Sequence, residues 1–201
     1  FLEAVETIIG HTAIQAPVYE KPQLKEENKP LLLPEKCASN RVITEYLFGR
    51  GIDFEIINYC ISNDLIFESL PYHNVVFVGY DEKKEPKYAA YRSTNKRRIM
   101  GDCSGSKKDY SFRLGKENLE EVHLFECAID LLSYATLAKL NGQDWKEMSF
   151  VSLSGVYSPA KKIEDSKVPI ALEKYLGSNP SVRKIRIHFD NDIAAERQHR
   201  P

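Results

Sequence analysis

From Glu120 onward the chain alternates short apolar runs with stretches of helical spacing, and this alternation restricts the fold more than any other feature. Residues 122–125, 150–153 and 185–189 have strand character, and residues 129–140 and 163–176 between them have the period of helices. A βαβαβ order of this kind predicts a parallel sheet with helices on its faces. In such sheets ligands gather at the carboxyl ends of the strands. Two of those ends are acidic here: the first run leads into Glu126 and the last into Asp190-Asn191-Asp192. Strands running in the same sense can bring Glu126 and the Asp190/Asp192 pair to one edge.

Unpaired carboxylates in one place are costly. Two of them about 4 Å apart repel by about 4 kcal/mol at an effective dielectric constant of about 20. Three together therefore imply a divalent cation or bound protons. An all-oxygen site with few protein ligands suits Mg²⁺ (or Mn²⁺), which keeps several waters and accepts phosphate oxygens. The implied chemistry is phosphoryl transfer or phosphodiester hydrolysis. The plainer alternative has one Asp capping the following helix and the other solvated.

The first half has a different character. Phe1, Val5, Ile8 and Ile9 share a helical face that Gly10 ends, and residues 12–36 mix four prolines with charged and amide residues, as a linker arm does. Within that arm Leu31-Leu32-Leu33 is apolar enough to dock on a neighbour. Two short helices are expected over residues 40–63, the second capped by Asp53 and carrying a stripe of Phe54, Ile57 and Ile61. Strand-rich runs at 65–67, 74–80 and 87–93 form an antiparallel meander, a polar basic loop occupies 94–108, and 111–114 is one more short strand. The expectation is an α+β front domain followed by an α/β sheet. The divisions are 1–36 for helix and arm, 37–118 for the front domain, and 119–201 for a back domain that stops short.

Bulk properties narrow the partners. With 42% hydrophobic and 28% charged residues and a net charge of −1, the chain can build a core but has no global basic field to attract nucleic acid. Any phosphate contacts must be local. Arg92, Lys96, Arg97, Arg98, Lys107 and Lys108 are the best candidates, against the alternative of a solvated loop. No apolar run approaches membrane-spanning length, and no export signal is visible. Cys37, Cys60, Cys103 and Cys127 are widely spaced, which suggests reduced thiols in a cytoplasmic protein and argues against zinc within this chain. His123 and His188, beside the acidic strand ends, are either metal neighbours or strand-surface histidines. The start at Phe1, already in a helical pattern, suggests a fragment.

Leu124-Phe125-Glu126, Asp130, Ser152-Leu153-Ser154-Gly155 and Phe189-Asp190-Asn191-Asp192 together resemble the Toprim domain of bacterial primases, topoisomerases and related nucleases. In the front half, Glu45-Tyr46-Leu47-Phe48-Gly49-Arg50-Gly51-Ile52 and the strands around Val75–Asp81 and Tyr91-Arg92-Ser93 look like the bacterial primase core. The order is similar to that of primase-like proteins of mobile and conjugative elements, in which a zinc ribbon, an uncharacterised domain and a Toprim domain follow one another. The resemblance implies Glu126 as the catalytic or metal-positioning acid and Asp190 and Asp192 as Mg²⁺ ligands. It also implies Asp130 and Gly155 as supports of the Glu126 turn. Cys127 replaces the usual Gly after the Glu, Ala195 stands where Gly is common, and the chain ends before the last helix and strand of that domain.

The activity so implied is Mg²⁺-dependent nucleotidyl transfer on a single-stranded DNA template, with NTPs and other replication or conjugation proteins as partners. Two rival expectations are a Toprim-type nuclease and a non-catalytic DNA-handling module of a mobile element.

Overall fold

The computed structural model describes residues 29–155 and 168–189. Two helices come first, α1 (Arg41–Gly49) and α2 (Phe54–Ser62), followed by β1 (Ile66–Ser69), β2 (Asn74–Tyr80), β3 (Pro86–Arg92) and β4 (Met100–Asp102). These strands form one antiparallel sheet in the order β1-β2-β3-β4. Strand β2 reads as a nearly unbroken apolar run because both its faces are covered. Val75 and Phe77 enter the main core, whereas Val76 and Val78 join Phe67 and Ala89 on the other face. Leu31 from the arm packs against that second cluster, while Leu32 and Leu33 remain largely outside it.

The back half follows as β5 (Arg113–Gly115), β6 (Glu121–Phe125), α3 (Ala128–Leu140), β7 (Ser149–Ser152), α4 (Ile170–Ser178) and β8 (Lys184–His188). Its sheet has the order β5-β7-β6-β8. Strands β7 and β8 both run parallel to β6, as the βαβαβ pattern requires, and only β5 is antiparallel. Side-chain alternation sends Phe125 and Phe150 to the α3 face and Val122, Leu124 and Val151 to the α4 face. The sheet is thus covered on both sides by the helices its own crossovers supply.

Three expectations change. The short strand near 111–114, counted with the front residues 37–118, forms as β5 and pairs with the back sheet. The polar stretch 94–108 is not all loop, since residues 100–102 fold back as β4 on β3. The buried stripe of α2 is Ile56, Ile57 and Cys60, and Phe54 is exposed. The reason is tertiary: α2 packs beside α3, where the backbone N–H of Asp53 donates to Thr136 Oγ1 (3.0 Å) and Lys139 Nζ reaches Asp53 Oδ1 (2.7 Å). That attachment turns the 56/57/60 face inward. Asp53 still caps the helix, accepting from the Glu55 amide (2.8 Å).

One core serves both halves. Ile43, Leu47 and Phe77 of the front half, and Phe125, Leu132 and Phe150 of the back half, lie in a single buried cluster with Phe112 between them. Phe112 is fully buried and meets Phe77 edge-on, with ring centroids 5.6 Å apart at 79°. Gly79 on β2 lies against the backbone of residues 110–111, where an added Cβ would fall 1.7 Å from the Tyr110 carbonyl oxygen. That close approach clamps the front sheet to the segment leading into β5.

Candidate functional site

The carboxyl edge of the back sheet is built around the bend after β6. Register pairs Phe125 with His188, so β6 and β8 end side by side. Beyond the last rung of the β6/β7 ladder the pairing continues. The Leu153 amide donates to the Phe125 carbonyl (2.8 Å), and the Gly155 amide to the Glu126 carbonyl (3.0 Å). Glu126 is therefore held, half-buried, between β6 and the start of α3. Ser154 (φ 60°) and Gly155 (φ 118°) take left-handed backbone to make this connection. Asp130, in the first turn of α3, accepts a hydrogen bond from Cys127 Sγ at 2.9 Å, which fixes the residue next to Glu126. Burial first, and then the bond to Asp130, push the Cys127 thiol up to about 11, so it stays protonated at neutral pH.

Opposite this edge the front sheet forms the other wall of a cleft of about 270 Å³. Arg92 lines it, its Nε donating to Tyr46 Oη (3.2 Å), and so do Tyr88, Asp102, Cys127, Ser154 and Gly155. Polar contacts connect the two walls. The buried Tyr88 hydroxyl donates to Asp102 Oδ1 (2.7 Å), and Lys108 Nζ lies 3.2 Å from Asp102 Oδ2 and 3.4 Å from the Ser154 carbonyl. Burial, more than the bond to Asp102, raises the Tyr88 phenol far above its ordinary value, against the partial pull of Ser154, so it stays protonated at neutral pH. Ser154 Oγ is buried beside the Tyr88 hydroxyl. The cleft thus offers hydroxyls and a guanidinium near the Glu126 bend, with the Lys108 ammonium at its margin.

The expected site residues divide between places. Glu126, Asp130, Gly155, Arg92 and Lys108 converge on the edge or the cleft. Lys96, Arg97 and Arg98 are exposed in the β3–β4 connection, and Arg97 lines a second, larger groove of about 770 Å³ with Tyr72 and Asn95. Lys107 is exposed just before the short 3-10 turn Lys108–Tyr110, its amide bonded to the Lys87 carbonyl. Asp190 and Asp192 lie outside the described residues. Tyr88, Asp102 and Ser154 were not foreseen. Ser154 had a signal in its Ser-Gly turn, whereas Tyr88 and Asp102 meet only through the pairing of β3 with β4.

The histidines beside the acidic ends turn toward each other. His123 Nδ1 and His188 Nε2 are 2.9 Å apart, and His123 Nε2 lies 3.3 Å from Glu121 Oε1, so both nitrogens of His123 are engaged. Phe125 stacks on His188 with centroids 4.8 Å apart, and Tyr134 closes the box at 4.2 Å. Burial, the His188 charge and the cations of β8 together lower His123 to about 4, against the partial pull of Glu121. Glu121 itself is held at about 2 by hydrogen bonds from Lys184 and Arg186, which fasten the edge strand β8 to β6. The four cysteines are free thiols, and no helix among the described residues is long and apolar enough to cross a membrane.

A family model described as "Protein of unknown function (DUF3991)" matches residues 45–118. No curated protein matches the chain. Among solved structures, the chain is similar to the primase fragment of the bacteriophage T7 primase-helicase protein, at 16% identity and a TM-score of 0.47, covering 75% of this chain and 55% of that one. It is similar to the DnaG primase catalytic domain bound to single-stranded DNA, at 11% identity and a TM-score of 0.47, with 78% and 56% covered. A third likeness is to the zinc-binding and RNA polymerase domains of the Aquifex aeolicus primase, at 15% identity and a TM-score of 0.47, with 80% and 45% covered. The chain spans about half the length of these structures.

Proposed function

We propose that the chain is the metal-dependent core of a primase-like protein, with a Toprim-type acidic edge that supports nucleotidyl transfer on a single-stranded DNA template. The observation that carries this reading is the parallel register of β6 and β8, which ends both strands together at Phe125 and His188. Glu126 follows one of these ends directly, and Asp190-Asn191-Asp192 lies one residue beyond Phe189 in the sequence after the other. The donor set of three carboxylates, with no sulfur or imidazole, fits Mg²⁺. Glu126, Asp190 and Asp192 would hold the ion, which when bound would neutralise phosphate charge. Arg92 in the cleft lining and Lys108 beside Asp102 and Ser154 supply cations that phosphates of an incoming nucleotide or template would meet. The neutral Tyr88 hydroxyl and the buried Ser154 Oγ offer uncharged polar contacts to the same ligand. In this proposal residues 37–118 and 119–201 act as the two walls of one site.

The test is product formation by the 201-residue chain with Mg²⁺, NTPs and labelled single-stranded DNA. Asp190→Asn, Asp192→Asn and Glu126→Gln should each lower synthesis by about 100-fold or more, the scale of removing one preorganised electrostatic group. Template shortening in place of extension would favour a nuclease. Binding with neither product, unchanged by the three substitutions, would reduce the edge to a structural role.

A further inference from the structure

The sequence argued against zinc, because its cysteines lack paired spacing. The fold gathers a donor set that spacing alone could not show. Cys37, Glu68 and His73 each offer one ligand atom, and the three atoms lie within 4.8 Å of one another. The segment before α1 runs back along β1, with an isolated bridge between Lys36 and Ser69 and the Cys37 amide donating to the Glu68 carbonyl (2.7 Å). The turn after β1 then returns His73, whose left-handed backbone (φ 53°) carries Nδ1 to 2.6 Å from Glu68 Oε1.

We propose that Cys37, Glu68 and His73 form a binding site for a zinc-class divalent cation, separate from the acidic edge of the back sheet. Thiolate, imidazole and carboxylate together match the borderline softness of zinc and not that of Mg²⁺. One thiolate and one carboxylate balance the charge of a divalent ion, which matters because Glu68 is only 1% exposed. Glu68 is also already positioned. Its Oε2 accepts the amides of Val42 (2.9 Å) and Ile43 (3.2 Å), and its own amide donates to Asn40 Oδ1 (2.8 Å), so Oε1 is fixed without the ion. The Cys37 thiol makes no hydrogen bond among the described residues. In a tetrahedral site, nitrogen and oxygen ligands lie about 3.3 Å apart, so the 2.6 Å Nδ1–Oε1 contact must open by about 0.7 Å as the proton between them leaves. The His73 side chain, 46% exposed, has room for that movement. Three protein ligands leave a fourth position for water or an outside group.

The experiment is titration of the reduced 201-residue chain with Co²⁺ alone, followed by absorbance. One equivalent should give tetrahedral d–d bands and a thiolate-to-cobalt charge-transfer band. Zn²⁺ should displace the Co²⁺, and excess Mg²⁺ should leave it bound, which separates this site from the proposed acidic edge. Cys37→Ser should abolish the charge-transfer band. His73→Gln should weaken binding by more than about 100-fold, beyond the usual cost of an outer-sphere partner. Should Cys37→Ser fail to fold, mass spectrometry of the unaltered chain provides the second measure, with Zn²⁺ protecting Cys37 from alkylation while Cys103 reacts as before. A charge-transfer band that never forms, one that survives Cys37→Ser, or Cys37 alkylation unaffected by Zn²⁺ would overturn the assignment.

Discussion

Acid should unfold this protein partly through one imidazole. His123 is 5% exposed and lies between β8 and α3, facing His188, Tyr134 and Phe150, with Glu121, Arg186 and Lys184 at its polar side. Its folded value of about 4 compares with an ordinary 6.5. Because the folded value is depressed, the unfolded chain takes up the proton first as pH falls. The contribution is whole above about 6.5 and is lost progressively as pH falls toward 4. At about 1.4 kcal/mol per unit the loss amounts to about 3 kcal/mol, a large share of a typical domain's stability. His188, lowered chiefly by its own burial, acts in the same direction.

The perturbation that isolates this effect is His123→Phe, which keeps an aromatic ring in the box and removes the titration. Urea unfolding at pH steps from about 7.5 to about 4 should show the unaltered chain losing stability more steeply than the variant. The gap between the two curves should narrow by about 3 kcal/mol across that window. A carbon-13 NMR titration of the His123 ring should place its midpoint near 4. Parallel pH curves, or a ring that titrates near 6.5, would refute the placement of His123 in a buried pair.

Two further outcomes follow from packing and capping. Phe112→Ala empties a fully buried site in the core the two sheets share, and should cost about 3–5 kcal/mol in one transition, with far-UV circular dichroism and Trp145 fluorescence coinciding; two separated transitions would show that the halves unfold independently. Glu68→Gln in the presence of a chelator weakens the charged cap on Val42 and Ile43 and should cost about 2 kcal/mol at neutral pH. Burial raises Glu68, but bonds from His73, Ile43 and Val42 outweigh it and hold it below 4.5, so that difference should persist above 4.5 and fade as pH drops through the lower folded value; a difference independent of pH would disprove the ionised cap.

How much of this was legible depended on the range over which each feature is decided. The parallel arrangement of β6, β7 and β8 and the capping of α2 by Asp53 follow from residues close in sequence, and both appear as expected. The basic run 92–108 read as one patch because nothing local announces that Met100–Asp102 will pair with β3. That pairing leaves Arg92 in the cleft and places Arg97 on the other groove. The two histidines read as metal neighbours or strand-surface residues because an alternating pattern names a face and does not say what covers it. Cys37, Glu68 and His73 were invisible for the same reason, since a single backbone bridge between Lys36 and Ser69 sets their meeting.

The glycines show why a motif residue still needs its own physical account. Gly79 is required by space: a Cβ there would fall 1.7 Å from a carbonyl oxygen that cannot move without parting the two sheets. Gly155 is required by something else, since a Cβ would meet nothing within 4 Å. Its constraint is the backbone, at φ 118°, which lets its amide reach the Glu126 carbonyl after Ser154 has already turned left-handed. An alanine at 155 would fit without a clash, yet would strain or release that bond, and Glu126 would lose the contact that fixes the end of its bend. The glycine after the second strand therefore acts on the acid after the first through one hydrogen bond, and the position of Glu126 is a property of β7 as much as of β6.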